Sequence, residues 1–180
     1  MKLTKTPIDG LLIIEPKIYE DDRGYFFESW NKETFAKHGC DWVFVQDNQS
    51  CSLKNVLRGL HFQIPPFDQG KLIRVINGSV LDVAVDLRKN SSTFGKHYKI
   101  ILNASEKKMF WIPPGFAHGF LTLEDNTLFL YKCTEKYHKE YERTIFWNSP
   151  QLNIDWGVKN PIISPKDIKA PLFENFDSPF

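Results

Sequence analysis

Short apolar runs, each cut off by turn residues, leave this chain few ways to fold. Leu11–Ile14 lies between Asp9-Gly10 and Glu15-Pro16, Leu72–Ile76 ends at Asn77-Gly78, Met109–Ile112 stops at Pro113-Pro114-Gly115, and Leu128–Cys133 follows Asp125-Asn126. Runs of this length, bounded by glycine, proline and asparagine, read as strands. Asn77-Gly78 is the strongest short hairpin signal, because both central positions of a type I′ turn require positive φ, and Ser79–Leu87 is then the returning strand. Many such strands at regular spacing indicate a double-sheet jelly roll or barrel. No repeat with a period of roughly 20–50 residues is present, so solenoids and propellers are excluded.

Only one stretch reads as a helix: Asn31 can cap Lys32–His38, which stops at Gly39. Asp21-Asp22-Arg23-Gly24 is a charged turn feeding an aromatic strand, Tyr25–Trp30, and Val43–Ser50 is a strand that begins apolar and ends in amides and hydroxyls. After Tyr137 the pattern loosens into anchors and turns. At 180 residues and 42% hydrophobic content the chain suits one domain with an aromatic core: an N-terminal arm and short helix (1–50), a barrel core (51–136) and a C-terminal wrap (137–180).

A formal net charge of +1 offers no overall attraction to nucleic acid or an anionic membrane, so any anion must be held locally. No signal peptide and no apolar stretch of membrane-spanning length is found, which makes the cytoplasm the expected location. Cys40, Cys51 and Cys133 are odd in number and far apart, as ordinary thiols are.

Within this frame the hexapeptide Arg58-Gly59-Leu60-His61-Phe62-Gln63 concentrates polar chemistry on a strand. Alternation puts His61 and Gln63 on one face and Leu60 and Phe62 on the other. The histidine either looks into a cavity or is solvated on an edge strand. Pro113-x-Gly115-x-x-His118 resembles the second half of a cupin metal signature, but Gln63 stands where that signature needs a further histidine, and 64–69 holds no glutamate. Two histidines without a carboxylate make a poor metal shell, so no catalytic metal is expected. Tyr131 in its apolar strand could simply pack in the core, Lys71 could be solvated, and Asp167 in Ser-Pro-Lys-Asp could cap a helix or a turn.

A set of motifs in register changes these odds. Arg23-Gly24-x-Phe26-x-Glu28, Gln46-Asp47-Asn48-x-Ser50, the hexapeptide, Gln69-Gly70-Lys71-Leu72, Asp82–Arg88, Pro114–Phe120, Tyr131-Lys132-Cys133-Thr134 and Ser164-Pro165-Lys166-Asp167 together resemble the dTDP-4-dehydrorhamnose 3,5-epimerase family over nearly the whole chain. The resemblance implies an all-β, cupin-type jelly roll with no cofactor, forming a homodimer by N-terminal arm exchange. It implies an isomerase that inverts C3 and C5 of a nucleotide-linked 4-keto-6-deoxy hexose. Carried over position by position, His61 is the base, Asp167 its orienting carboxylate, Tyr131 the acid on the opposite face, and Lys71 the partner of the enolate oxygen. Arg58 would hold the diphosphate; Gln46, Asn48, His118 and Tyr137 would line the sugar and phosphate. Arg23, Phe26 and Glu28 would meet the nucleotide end from the partner's arm. His118 could instead play a supporting role, and Gln63 receives none. Gly157 and His97 depart from the family pattern away from this chemistry. The competing readings are a single-centre epimerase and a non-catalytic sugar-binding module, the latter having no need of an acid and base pair.

Overall fold

Two β-sheets face one another in the computed structural model, which describes residues 1–180. In chain order the strands are β1 (Lys2–Lys5), β2 (Leu12–Glu15), β3 (Tyr19–Asp21), β4 (Gly24–Phe26), β5 (Gln46–Ser52), β6 (Val56–Gln63) and β7 (Lys71–Asn77). They continue with β8 (Ser79–Asp86), β9 (His97–Asn103), β10 (Met109–Ile112), β11 (Phe116–Thr122), β12 (Thr127–Cys133), β13 (Glu142–Thr144) and β14 (Ile162–Ile163). Helix α1 (Lys32–Ala36) precedes β5; a second short helix, α2 (Pro165–Ile168), and a 3₁₀ turn (Phe173–Asn175) follow β14. The first sheet runs β1-β2-β10-β7-β12-β5 and the second β13-β6-β11-β8-β9, with β14 parallel to β6; β3 and β4 form a separate ribbon. No helix is long and apolar enough to cross a membrane.

The strand alternation builds three apolar layers. Between the sheets, Ile73, Val75, Phe110 and Phe129 of the first meet Val80, Ala84, Phe116 and Phe120 of the second. The outer face of the second sheet carries Leu57, Leu60, Phe62, Val83 and Val85, and the C-terminal wrap covers it with Ile145, Leu152, Ile154 and Trp156. Outside the first sheet, Leu72, Met109 and Trp111 are covered by Phe35 of α1 and by Trp42, stacked on Trp111 at 3.8 Å. Strands buried on both faces read as continuous apolar runs, as Met109–Ile112 does. The chain is thus all-β in essence, with a double-sheet architecture, as expected.

Several local expectations give way. Asn77-Gly78 is no hairpin: Asn77 pairs with Leu128 in the first sheet and Ser79 with Asn103 in the second. Only Gly78 has positive φ (77°), so a single left-handed residue turns the corner between sheets, which a type I′ turn cannot do. The aromatic strand after Gly24 ends at Phe26. Residues 43–45 lie outside β5, because Trp42 and Phe44 leave the ladder to pack on Trp111. Asn31 does cap α1, accepting from Thr34 N at 3.0 Å. The second helix, α2, forms at Ser164-Pro165-Lys166-Asp167, where the sequence left a helix or a turn open. Within 1–50, β1 and β2 belong to the first sheet, and within 137–180, β13 and β14 extend the second.

Candidate active site

One end of the sandwich stays open as a cavity of about 640 Å³. Its walls come from both sheets: β6 and β11 supply Arg58, His61 and His118, while β5, β7 and β12 supply Asn48, Lys71 and Tyr131. His61 and Tyr131 therefore stand on opposed walls.

Strict alternation would put Arg58 on the face of Leu60 and Phe62, away from His61. A β-bulge prevents this. In the β6–β11 ladder Arg58 pairs with Phe120 and His61 with His118, so three steps on β6 oppose two on β11. Gly59 absorbs the extra residue at φ 130°, and a Cβ there would lie 2.5 Å from Gly119 Cα. The two glycines let the strands touch, and Arg58 and His61 share the cavity face while Leu57, Leu60 and Phe62 stay in the outer layer.

His61 is joined to a residue distant in sequence. Its Nε2 lies 2.6 Å from Asp167 Oδ1, and the Gly59 N–H lies 3.5 Å from Oδ2. Asp167 sits in the first turn of α2, where its own N–H donates to the capping Ser164 Oγ at 3.1 Å. The capping alternative for Ser-Pro-Lys-Asp thus belongs to Ser164. Burial of Asp167 works to raise its pKa, but the hydrogen bond and charge of His61 outweigh it and the net shift is downward. The His61 side chain keeps 31% of its surface exposed, toward the cavity, and its other ring nitrogen has no partner in the chain.

Next to it on β11, His118 is held by Asp82, whose two oxygens both lie 3.0 Å from Nε2. Burial pushes the His118 pKa down against the pull of Asp82, favouring neutral imidazole. Lys71 is buried and makes no hydrogen bond or ion pair; burial lowers its pKa, opposed by Cys133, Asp82 and Glu142. Burial likewise pushes Tyr131 up to about 12, so its hydroxyl keeps its proton at neutral pH. The Tyr131 hydroxyl, too, has no partner within the chain.

Around these groups the polar lining is braced. Arg58 donates to Ser52 Oγ at 3.3 and 3.1 Å. Gln46 accepts from Tyr137 N at 2.8 Å and donates to Asn48. Tyr137 donates to Glu142 at 2.8 Å, and Glu142 also pairs with Lys166. Gln63 is a tie: its amide donates to the carbonyls of Phe67 and Lys136 and accepts from His138 N, which joins two loops beside the cavity. No three His, Cys, Asp or Glu side chains cluster with metal-ligand geometry.

The cavity thus gathers His61, Tyr131, Asp167, Lys71, Gln46, Asn48, Arg58, His118 and Tyr137. It does not include Arg23, Phe26 and Glu28. In the β3–β4 ribbon Arg23 is forked onto Asp21, with Nη2–Oδ2 at 2.5 Å, and Phe26 is 66% exposed; just beyond the ribbon Glu28 accepts from Asn31 at 2.8 Å. Sequence reasoning missed Asp82, Ser52, Glu142 and Lys166. Asp82 and Lys166 lay inside recognised motifs, whereas Glu142 sits in a stretch with no pattern to mark it.

The sequence model of the dTDP-4-dehydrorhamnose 3,5-epimerase family matches residues 5–175. A dTDP-4-dehydrorhamnose 3,5-epimerase of Shigella flexneri is 49% identical over 178 residues, covering 98% of each chain. The crystal structure of the Elizabethkingia anophelis dTDP-4-dehydrorhamnose 3,5-epimerase superposes with a TM-score of 0.93 at 48% identity, covering 97% of both chains. The dTDP-6-deoxy-D-glucose-3,5-epimerase of Legionella pneumophila, solved in complex with dTDP-4-keto-L-rhamnose, also reaches 0.93 at 49% identity, covering 98% of this chain and 94% of its own.

Proposed function

The chain belongs to the dTDP-4-dehydrorhamnose 3,5-epimerase family, and from that membership we propose how its cavity carries out the reaction. The enzyme is an isomerase that converts dTDP-4-dehydro-6-deoxy-D-glucose into dTDP-4-dehydro-L-rhamnose. The C4 ketone makes the protons on C3 and C5 acidic, because each conjugate base is an enolate. Inversion then needs a base on one face, an acid on the other and a donor at O4.

One observation carries the assignment: a carboxylate-held imidazole, His61–Asp167 at 2.6 Å, stands across the cavity from the unpartnered hydroxyl of Tyr131. His61 takes the proton from carbon, and Asp167 stabilises the imidazolium that forms. Lys71 Nζ lies ready for the negative charge on O4. Tyr131 delivers a proton to the opposite face and takes one back from solvent, since burial disfavours its phenolate. The carbon proton on His61 leaves to water, so each inverted centre acquires a solvent hydrogen. Arg58 grips the diphosphate with its planar fork, while Gln46, Asn48, His118 and Tyr137 border sugar and phosphate.

Arg23, Phe26 and Glu28 act on the nucleotide end of a second copy's site. Tyr19, Tyr25 and Phe26, all exposed on a ribbon that is hydrogen-bonded to neither large sheet, support such an exchange, since an exposed aromatic surface favours a partner. In deuterium oxide, dTDP-4-dehydro-6-deoxy-D-glucose should gain label at both C3 and C5. Label at one carbon alone would mean a single-centre epimerase, and undiminished exchange by His61→Ala would remove His61 as the base.

A further inference from the structure

Gln63 stands where a cupin metal signature places a histidine, and the mechanism gives it no part. It is buried, with 3% exposure, at the edge of the cavity and two residues from His61 on β6. A buried amide is kept only where its hydrogen bonds are satisfied, and all three that Gln63 makes end on loop backbone.

Two of those bonds bracket one residue. Gln63 Nε2 donates to the Lys136 carbonyl at 3.0 Å and Gln63 Oε1 accepts from His138 N at 2.6 Å, so one side chain holds the peptide groups before and after Tyr137. The first of these peptides is held again, because Tyr137 N donates to Gln46 Oε1 at 2.8 Å. Residues 136–138 belong to no helix or strand, and no N–H among them donates to backbone. Gln63 Nε2 also donates to Phe67 O, and Phe67 stacks on His138 at 3.8 Å, which anchors the loop to its neighbour. The Tyr137 ring is thus 52% exposed beside the cavity while two glutamines fix the backbone that carries it. A loose loop would have to be ordered as substrate binds, whereas a pinned one is ordered beforehand. We propose that Gln63 is a positioning residue that holds Tyr137 ready for the substrate and so tightens binding without entering the chemistry. This rests on Tyr137 contacting the substrate.

The test combines steady-state kinetics with titration calorimetry of thymidine diphosphate, on the full chain at a temperature where circular dichroism shows each variant folded. Gln63→Met keeps the length of the side chain and loses all three bonds. It should raise KM and weaken thymidine diphosphate about tenfold, roughly the cost of ordering one residue's backbone, with kcat within about twofold of wild type. Unchanged affinity would overturn the proposal, and so would a lower kcat at unchanged KM, the result expected if Gln63 acted on His61. Should Gln63→Met not fold, Gln63→Glu keeps the acceptor for His138 N but cannot donate, and the same rise in KM is expected of it. Tyr137→Ala should also weaken binding, and adding Gln63→Met to it should then change little; a further tenfold loss would show that Gln63 acts elsewhere. If Tyr137→Ala alone binds as wild type does, it is the substrate contact of Tyr137 that fails. In unliganded wild type the His138 amide should exchange slowly despite its irregular loop, and exchange at the rate of an open loop would count against the proposal.

Discussion

Two buried aspartates, Asp86 and Asp167, show how the same side chain is put to different ends. Asp86 closes β8 with no exposure, and its carboxylate accepts from Arg88 Nε and Nη2, both at 2.8 Å, from Ser91 at 2.6 Å and from Thr93 at 2.7 Å. Burial would raise its pKa, yet these bonds bring it to about 2. Every bond ends on this chain, and the cluster ties β8 to the following loop and, through Arg88, to Asp9. Asp167 is just as buried, but its strongest partner is a histidine whose other nitrogen is unpartnered and which faces a cavity. A closed network stores stability; an open one keeps a group ready for a ligand.

The contrast can be broken by mutation. The largest effect is expected from His61→Ala, with kcat per folded molecule falling about a thousandfold. Asp86→Asn should do the reverse, costing about 3 kcal/mol in denaturant unfolding with kcat per folded molecule unchanged. Its pH dependence sharpens the point. A carboxyl depressed from 3.8 to about 2 contributes stability that is complete above the unfolded value and lost as pH falls through the folded one. The gap between wild type and Asp86→Asn should therefore narrow by about 2 kcal/mol as pH falls from 5 to 2. Asp167→Asn, which keeps the shape but removes the charge behind His61, should lower kcat about a hundredfold with KM little changed. The smallest effect is Phe26→Ala: KM should rise about fivefold with little change in melting, because the residue is 66% exposed and belongs to none of the three apolar layers. A drop in melting temperature would show that Phe26 supports the fold.

How legible each part was follows from the range of the forces involved. The strand runs and the Asn31 cap are local, and they were readable. Asn77-Gly78 misled because a dipeptide reports only a turn, while which sheet each arm joins depends on Leu128 and Asn103, residues far along the chain. Gln63 had no assignable role until its three bonds to the loops around Phe67, Lys136 and His138 showed it to be a brace. The motifs named the residues of the site, yet strict alternation carried back from His61 would set Arg58 on the opposite face, and only the bulge in the β6–β11 ladder brings the two together. Glu142 carried no signal, because its partners, Tyr137 and Lys166, meet it only through the wrap.

By itself the sequence determined the all-β class, the family and the inventory of base, acid and cation, since alternation, turn chemistry and ordered motifs are properties of neighbouring residues. Tertiary structure decided which of those residues meet. The contact of Gly59 with Gly119 shifts a ladder by one residue and turns Arg58 toward His61, and the packing of α2 on β6 brings Asp167 to the imidazole from 106 positions away. Such pairings depend on register and layer packing across the whole molecule, which no local pattern encodes.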